Sequence, residues 1–134
     1  DPECQTILPK LKSDLLEIFL SCCDEKLHET DINWYNKKSI CVVLCSNGYP
    51  DQIKKKIKIK DLDNLILGND EYCFHAGTII ENKQTYAIGG RVLNFVCLSN
   101  DFLSARHQIM NSLKSLNWNG GFYRKDIGYK AISE

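Results

Sequence analysis

The chain has 134 residues, which suffice for one compact domain with an apolar core and an appendage. Its 17 lysines and arginines balance its 17 aspartates and glutamates, and no stretch approaches the roughly 18 consecutive apolar residues of a membrane-spanning helix. Together with seven cysteines that lack paired C-x-x-C spacing, this predicts a cytoplasmic protein with reduced thiols that binds neither nucleic acid nor a membrane.

The first predicted element is a helix over about residues 8–23. Its apolar residues recur at three- and four-residue steps and share one face, formed by Leu8, Leu11, Leu15, Phe19 and then Cys22 or Cys23. Pro9 suits the first turn, where its missing amide hydrogen is no loss. That face is expected to bury against another part of the protein. The polar residues 24–38, with Trp34-Tyr35 as an aromatic anchor, are predicted to form a surface connection.

From residue 39 the hydrophobic period becomes that of strands. Strands are predicted for residues 40–45, 57–59, 72–75, 85–88 and 91–98. A second helix should run from about Asp101 to Leu116, with Asn100 as its N-cap. The sequence therefore predicts an α+β unit, a mostly antiparallel sheet or small barrel covered by one long helix.

Five short motifs follow one another along the chain. They are DPECQ at residues 1–5, SNGYP at 46–50, FHAGT at 74–78, GGRVL at 89–93 and FYRKDIG at 122–128. In this order and approximate spacing they resemble the glycinamide ribonucleotide synthetase family, over essentially the whole chain. The family's full motif reads Arg-Phe-Gly-Asp-Pro-Glu-x-Gln, and this chain begins inside it at Asp1. We therefore expect the C-terminal portion of a larger ligase.

The resemblance implies an ATP-grasp ligase of de novo purine biosynthesis. In that family Mg-ATP phosphorylates glycine, and the amine of 5-phosphoribosylamine attacks the glycyl phosphate to give glycinamide ribonucleotide, ADP and phosphate. Residues 1–38 would be the end of the ATP-grasp domain with a connection, and residues 39–134 the C-terminal domain. The family's metal ligands lie before this motif, so ATP and magnesium are expected mainly on the N-terminal and ATP-grasp portion, with no metal ligand here. The isolated segment is expected to be inactive.

The first candidate site residue is Arg91. In related ATP-grasp enzymes a basic residue near the start of the corresponding strand binds the ribose phosphate, which by resemblance points to Arg91. An arginine grips phosphate through two parallel hydrogen bonds, and Gly89-Gly90 would let backbone amides approach an anion. Gly90 is therefore a second candidate. The alternative is that the glycines only turn the chain and Arg91 pairs with a carboxylate.

Five further residues are candidates on less specific sequence patterns. His75 and Thr78 end a strand and are expected to point toward the same site as Arg91, although a lone histidine is more often packed or on the surface. The resemblance places Glu3 and Asp1 in the pocket for glycine and phosphoribosylamine, with helix capping as the alternative. Arg124 matches a strongly patterned family segment but also belongs to an ordinary exposed charged run.

A function of another class stays open from the sequence. The same segment is compatible with a free-standing α+β binding or interaction module without catalysis. The apolar face of the first helix distinguishes the two, because a segment built to pack on a neighbour exposes that face when it is alone.

Overall fold

In the computed structural model, which describes residues 2–132, the strands form two antiparallel sheets. The larger sheet has the order β3-β6-β1-β7 and the smaller one the order β2-β5-β4. The larger sheet contains β1 (Lys38–Ser46), β3 (Glu71–His75), β6 (Arg91–Ser99) and β7 (Gly121–Phe122). The smaller sheet contains β2 (Ile57–Lys58), β4 (Thr78–Glu81) and β5 (Gln84–Ala87).

The core lies between the larger sheet and the long helix α3 (Phe102–Leu116). Alternate residues of β1 and β6 point toward this helix, which buries its own apolar stripe against them. The stripe consists of Ala105, Ile109, Leu113 and Leu116. The N-cap is Asp101 rather than the predicted Asn100, because the Asp101 carboxylate accepts a hydrogen bond from the Ser104 amide at 2.7 Å.

The predicted α+β class, with antiparallel strands under one long helix, is confirmed. Strand β4 was not predicted, and it forms a hairpin with β5. The two residues between them, Asn82 and Lys83, both have positive φ (49° and 59°), which is the backbone of the two-residue turns that join twisted strands. A short α4 (Tyr129–Ile132) follows the last strand.

The single helix predicted for residues 8–23 is corrected to two helices. They are α1 (Glu3–Ile7), extended by a 3₁₀ turn at Leu8–Lys10, and α2 (Leu15–Cys23). The break has a local cause, because Asp14 is extended and its carboxylate accepts hydrogen bonds from the amides of Leu16 at 2.7 Å and Glu17 at 3.2 Å. Asp14 with Glu17 three residues later is a helix-start pattern that the apolar periodicity concealed.

The apolar side of α2 faces solvent. Leu16, Phe19 and Leu20 are 65%, 56% and 57% exposed. The connection after α2 folds back, since Tyr35 donates its amide to Lys10 O at 2.8 Å and Leu11 bridges to Trp34. Trp34 and Tyr35 stay about half exposed, so the predicted anchor is not buried. Among the described residues no helix has the length and apolarity needed to cross a bilayer.

The seven thiols fall into two groups that should differ in reactivity. Cys4, Cys22 and Cys23 are exposed. The other four belong to strands β1, β3 and β6, and burial raises the pKa of Cys41 and Cys97 to about 11 and of Cys73 to about 12, while also raising the pKa of Cys45.

We expect three rapid modifications by N-ethylmaleimide in the folded protein. At about pH 8 the raised pKa values keep the four thiols of the sheet protonated and their burial limits access, whereas the three exposed thiols are open to the reagent. Mass spectrometry should show the remaining four labels only after unfolding in guanidinium. A fourth rapid label on the native protein would contradict the packing described for β1 and β6.

Candidate functional site

Two neighbouring cavities share Tyr49 and Arg91. The first, called here the Asn94 cavity, has a volume of about 380 Å³ and is lined by Tyr49, Ala76, Gly77, Gly90, Arg91 and Asn94. The second, called the Arg124 cavity, measures about 260 Å³. Its walls are largely apolar and come from Pro2, Cys41, Val43, Cys45, Tyr49, Arg91, Phe122, Tyr123, Arg124 and Ile127. Arg91 is therefore the cation common to both.

An irregularity between β1 and β6 sets the direction of Arg91. Leu44 pairs with Leu93 but Cys45 pairs with Arg91, so Val92 is an extra residue in the ladder. In a regular strand, the side chains of residues 91 and 93 would lie on one face of the sheet and that of residue 94 on the other face. The bulge re-aims the side chain, and Arg91 lines the same cavity as Asn94.

The floor of the Asn94 cavity is a crossing of two backbone segments at Gly77 and Gly89. The Gly77 amide donates to Arg91 O at 2.9 Å, and Gly77 O accepts from the amides of Ile88 at 2.8 Å and Gly89 at 3.1 Å. A Cβ on Gly77 would lie 2.6 Å from the Cα of Gly89, so only glycine allows this approach. The crossing holds the β3–β4 connection against the start of β6.

The role predicted for the Gly89-Gly90 backbone is only partly compatible with this geometry. The Gly89 amide is already donated to Gly77 O, and Gly90 O accepts from the Ser46 amide at 2.8 Å. Gly90 itself lines the cavity, but its lack of a side chain serves packing, since a Cβ there would lie 2.3 Å from the Tyr49 ring. The absence of a side chain at Gly90 thus lets the Tyr49 ring pack against the backbone next to Arg91.

The charge of Arg91 reaches the buried face of β1. Burial raises the pKa of the Cys45 thiol, and the positive charge of Arg91 opposes that rise. The guanidinium therefore acts beside a thiol in partly apolar surroundings, while Arg91 as a whole is exposed. A cation at the edge of a low-dielectric wall attracts an anion more strongly than one surrounded by water.

Asn94 is a site residue that the sequence reasoning missed. It is 2% exposed, and its Oδ1 is buried without a hydrogen-bond partner among the described residues. A signal was available, because Asn94 is the single polar residue within the apolar run at 92–98. A buried polar atom without a partner is unfavourable and therefore requires an explanation.

Arg124 lies in a loop that is held by another arginine. Its guanidinium makes two hydrogen bonds to the Asp126 carboxylate, at 3.0 and 2.6 Å, and this pairing lowers the pKa of Asp126. From α3, Arg106 donates to Ile127 O at 3.1 Å and to Lys125 O. Arg124 thus lines the second cavity while paired, and Arg106, which no motif indicated, fixes its loop.

The remaining candidates lie around the two cavities. His75 Nδ1 and Thr78 Oγ1 are 2.9 Å apart, so these residues contact each other and neither lines a cavity containing Arg91. They flank Ala76 and Gly77, which do. Glu3 is the first residue of α1, next to Pro2, which reaches the Arg124 cavity. Asp1 lies outside the described residues.

Within residues 2–132 no three histidine, cysteine, aspartate or glutamate side chains meet in a group able to hold a metal ion.

The chain is similar to known proteins over most of its length. Residues 39–130 match the family model described as phosphoribosylglycinamide synthetase, C domain. The chain is 37% identical over 98% of its length to a phosphoribosylamine-glycine ligase of Brucella melitensis, of which it covers 31%. It is 38% identical over 99% of its length to the trifunctional purine biosynthetic protein adenosine-3 of Gallus gallus, of which it covers 13%.

A solved structure shows the same arrangement. The crystal structure of phosphoribosylamine-glycine ligase from Thermotoga maritima matches 95% of this chain with a TM-score of 0.69 and 25% identity. The match covers 30% of that chain. The present chain thus spans about a third or less of the length of these relatives.

Proposed function

The chain belongs to the phosphoribosylglycinamide synthetase C-domain family, and we propose that it is the C-terminal part of an ATP-dependent ligase that joins glycine to 5-phosphoribosylamine. The reaction is that of de novo purine biosynthesis, and it proceeds through glycyl phosphate to glycinamide ribonucleotide, ADP and phosphate. Within this ligase, the segment binds the phosphate group of 5-phosphoribosylamine.

The observation that carries this role is the position of Arg91 between two cavities. A bulge aims the side chain, and the Gly77 amide holds its backbone carbonyl at 2.9 Å. The planar guanidinium of Arg91 can offer two parallel N–H groups to a phosphate. Arg124 lines the adjoining cavity while paired with the Asp126 carboxylate.

ATP and magnesium are proposed to bind to the rest of the ligase. This segment would hold the amine substrate in a fixed orientation, so that its nucleophile meets the activated carboxylate in line. Glu3, His75 and Thr78 stay predicted substrate contacts of second rank, with Glu3 closest in sequence to the wall of the Arg124 cavity at Pro2.

The exposed apolar surface of the N-terminal segment is proposed to contact the same missing portion. Besides the apolar side of α2, an apolar groove of about 480 Å³ opens between α1 and β3. Its walls are Cys4, Gln5, Leu8, Pro9, Tyr72 and Phe74. An apolar surface of this kind is typical of an interface, and the relatives of this chain continue for more than twice its length.

The test of this function compares the chain with the complete ligase that contains it. Supplied with ATP, magnesium, glycine and 5-phosphoribosylamine, the complete ligase should release phosphate only when both substrates are present. The 134-residue chain alone should release none. It should nevertheless bind ribose 5-phosphate, which calorimetry or NMR titration would detect.

Two results would contradict the proposal. Robust phosphate release by the chain alone would mean that nucleotide and metal bind here. A complete ligase that turns over while the chain shows no affinity for any phosphate ester would remove the substrate role from this segment. If the chain were also monomeric, with α2 stable in solution, a free-standing binding module would be the better description.

A further inference from the structure

The side-chain oxygen of Asn94 is buried without a hydrogen-bond partner in the described part of the chain. The neighbours of Asn94 in the ladders are Val43 on β1 and Phe74 on β3, whose side chains are apolar. An apolar residue of similar size would avoid the penalty of an unpaired buried amide. Because the residue lines the Asn94 cavity, a ligand there offers the missing partner.

The geometry narrows the chemistry of that partner. An amide oxygen accepts hydrogen bonds and needs an O–H or N–H donor, which a phosphate dianion does not have. Arg91 lines the same cavity and favours an anion, while Tyr49 lies over Gly90 at its edge. The torsion that turns a carboxamide is broad, so the oxygen can be presented to a ligand without backbone movement.

We propose that Asn94 is a specificity-determining residue of the Asn94 cavity, where its side-chain oxygen accepts a hydrogen bond from a hydroxyl or amine of the phosphate ester that Arg91 binds. This inference rests on the proposed phosphate-binding role of Arg91. The ligand class is a phosphate ester with a donor group near the phosphate, as opposed to inorganic phosphate or an alkyl phosphate.

The test compares two phosphate esters, one with hydroxyl donors and one without them. Ribose 5-phosphate carries hydroxyls, whereas pentyl phosphate has the same charge and a similar length without them. Affinities are measured by calorimetry on the 134-residue chain, because every residue lining the cavity belongs to it. The variants are Asn94→Ala, which leaves space, and Asn94→Val, which suits a buried strand.

Both variants should weaken ribose 5-phosphate binding about fivefold to thirtyfold, the effect of one lost hydrogen bond to a buried amide. Pentyl phosphate should bind them as it binds the wild type, within about twofold on the same scale. The melting temperature of Asn94→Val should equal or exceed that of the wild type, because an unpaired polar atom has been removed. Asn111→Ala, a change of the same residue type on the exposed side of α3, should alter none of these values.

The outcomes separate the two proposals. If Arg91→Ala weakens both probes while Asn94→Ala weakens neither, or weakens both equally, the role of Asn94 is wrong and that of Arg91 stands. A lower melting temperature of Asn94→Val with unchanged ribose 5-phosphate affinity would show a structural role and would also overturn the inference. If neither probe binds, or Arg91→Ala has no effect on either, the proposed function of the site fails together with it.

Discussion

Replacing Arg91 by alanine is expected to raise the Michaelis constant of the complete ligase for 5-phosphoribosylamine about tenfold to a hundredfold. The change removes the proposed charge-assisted, two-pronged contact to phosphate, a type that is among the stronger polar contacts in proteins. The proposed contact would exist in the bound substrate as well as in the transition state, so kcat at saturating substrate should change little. Steady-state kinetics with saturating ATP and glycine would measure both parameters.

Two further variants refine this expectation. Arg91→Lys keeps the charge but not the planar fork, so its Michaelis constant should lie between those of the wild type and Arg91→Ala. Lys125→Ala removes an exposed cation from the neighbouring loop, and its side chain lines neither cavity that contains Arg91. It should behave as the wild type. An Arg91→Ala enzyme with an unchanged Michaelis constant would end the assignment.

Replacing Gly77 by alanine is expected to destabilise the protein by about 3 kcal/mol, the combined effect of overpacking and weakened hydrogen bonds. The new Cβ would lie 2.6 Å from the Cα of Gly89 and 2.7 Å from Arg91 O, and both are backbone atoms. This steric clash can be relieved only if the two backbone segments move apart. That movement weakens the hydrogen bonds of Gly77 to Arg91, Ile88 and Gly89. Thermal unfolding followed by circular dichroism should show a melting temperature lower by roughly 10 °C.

Gly68→Ala is the matched control for this prediction. A Cβ on Gly68 meets its nearest neighbours, the side chains of Gln108 and Glu71, at an ordinary 3.6 Å. The free energy of unfolding of Gly68→Ala should stay within about 0.5 kcal/mol of the wild-type value, as for most substitutions at exposed positions. Equal stabilities of Gly77→Ala and Gly68→Ala would show that the crossing at Gly77 tolerates a side chain, and the cavity would then not depend on it.

Local patterns were sufficient for much of the fold. The apolar run of β1 and the stripe of α3 were predicted because their periods of two and 3.6 residues are properties of adjacent residues. Local chemistry also explains two errors, the break before α2 at Asp14 and the N-cap at Asp101. In both cases the helix starts after an aspartate whose carboxylate accepts hydrogen bonds from backbone amides. The prediction for α2 had followed the apolar periodicity, and that for α3 had chosen the preceding asparagine.

The candidate site was predictable only in part. Arg91 and Gly90 were indicated by a motif, and they line one cavity, while their predicted role in substrate binding stays a prediction. His75 and Thr78 belong to another motif that was expected to meet Arg91, but their side chains pair with each other at 2.9 Å. Which motifs meet depends on how two sheets cross at Gly77 and Gly89, and no short segment contains that information.

The sequence by itself determined the family, the α+β class, the main strands and Arg91 as a candidate, because each is encoded in contiguous residues or in ordered motifs. The tertiary structure alone decided the face of the sheet on which the Arg91 side chain lies, the burial of the Asn94 side-chain oxygen without a partner among residues 2–132, and the hydrogen bonds from Arg106 to the Arg124 loop. These features depend on a bulge opposite Cys45, on neighbours from the two strands that flank β6, and on a helix about twenty residues distant. They arise from pairing between segments remote in the chain, whereas sequence periodicity reports only the environment of one segment at a time.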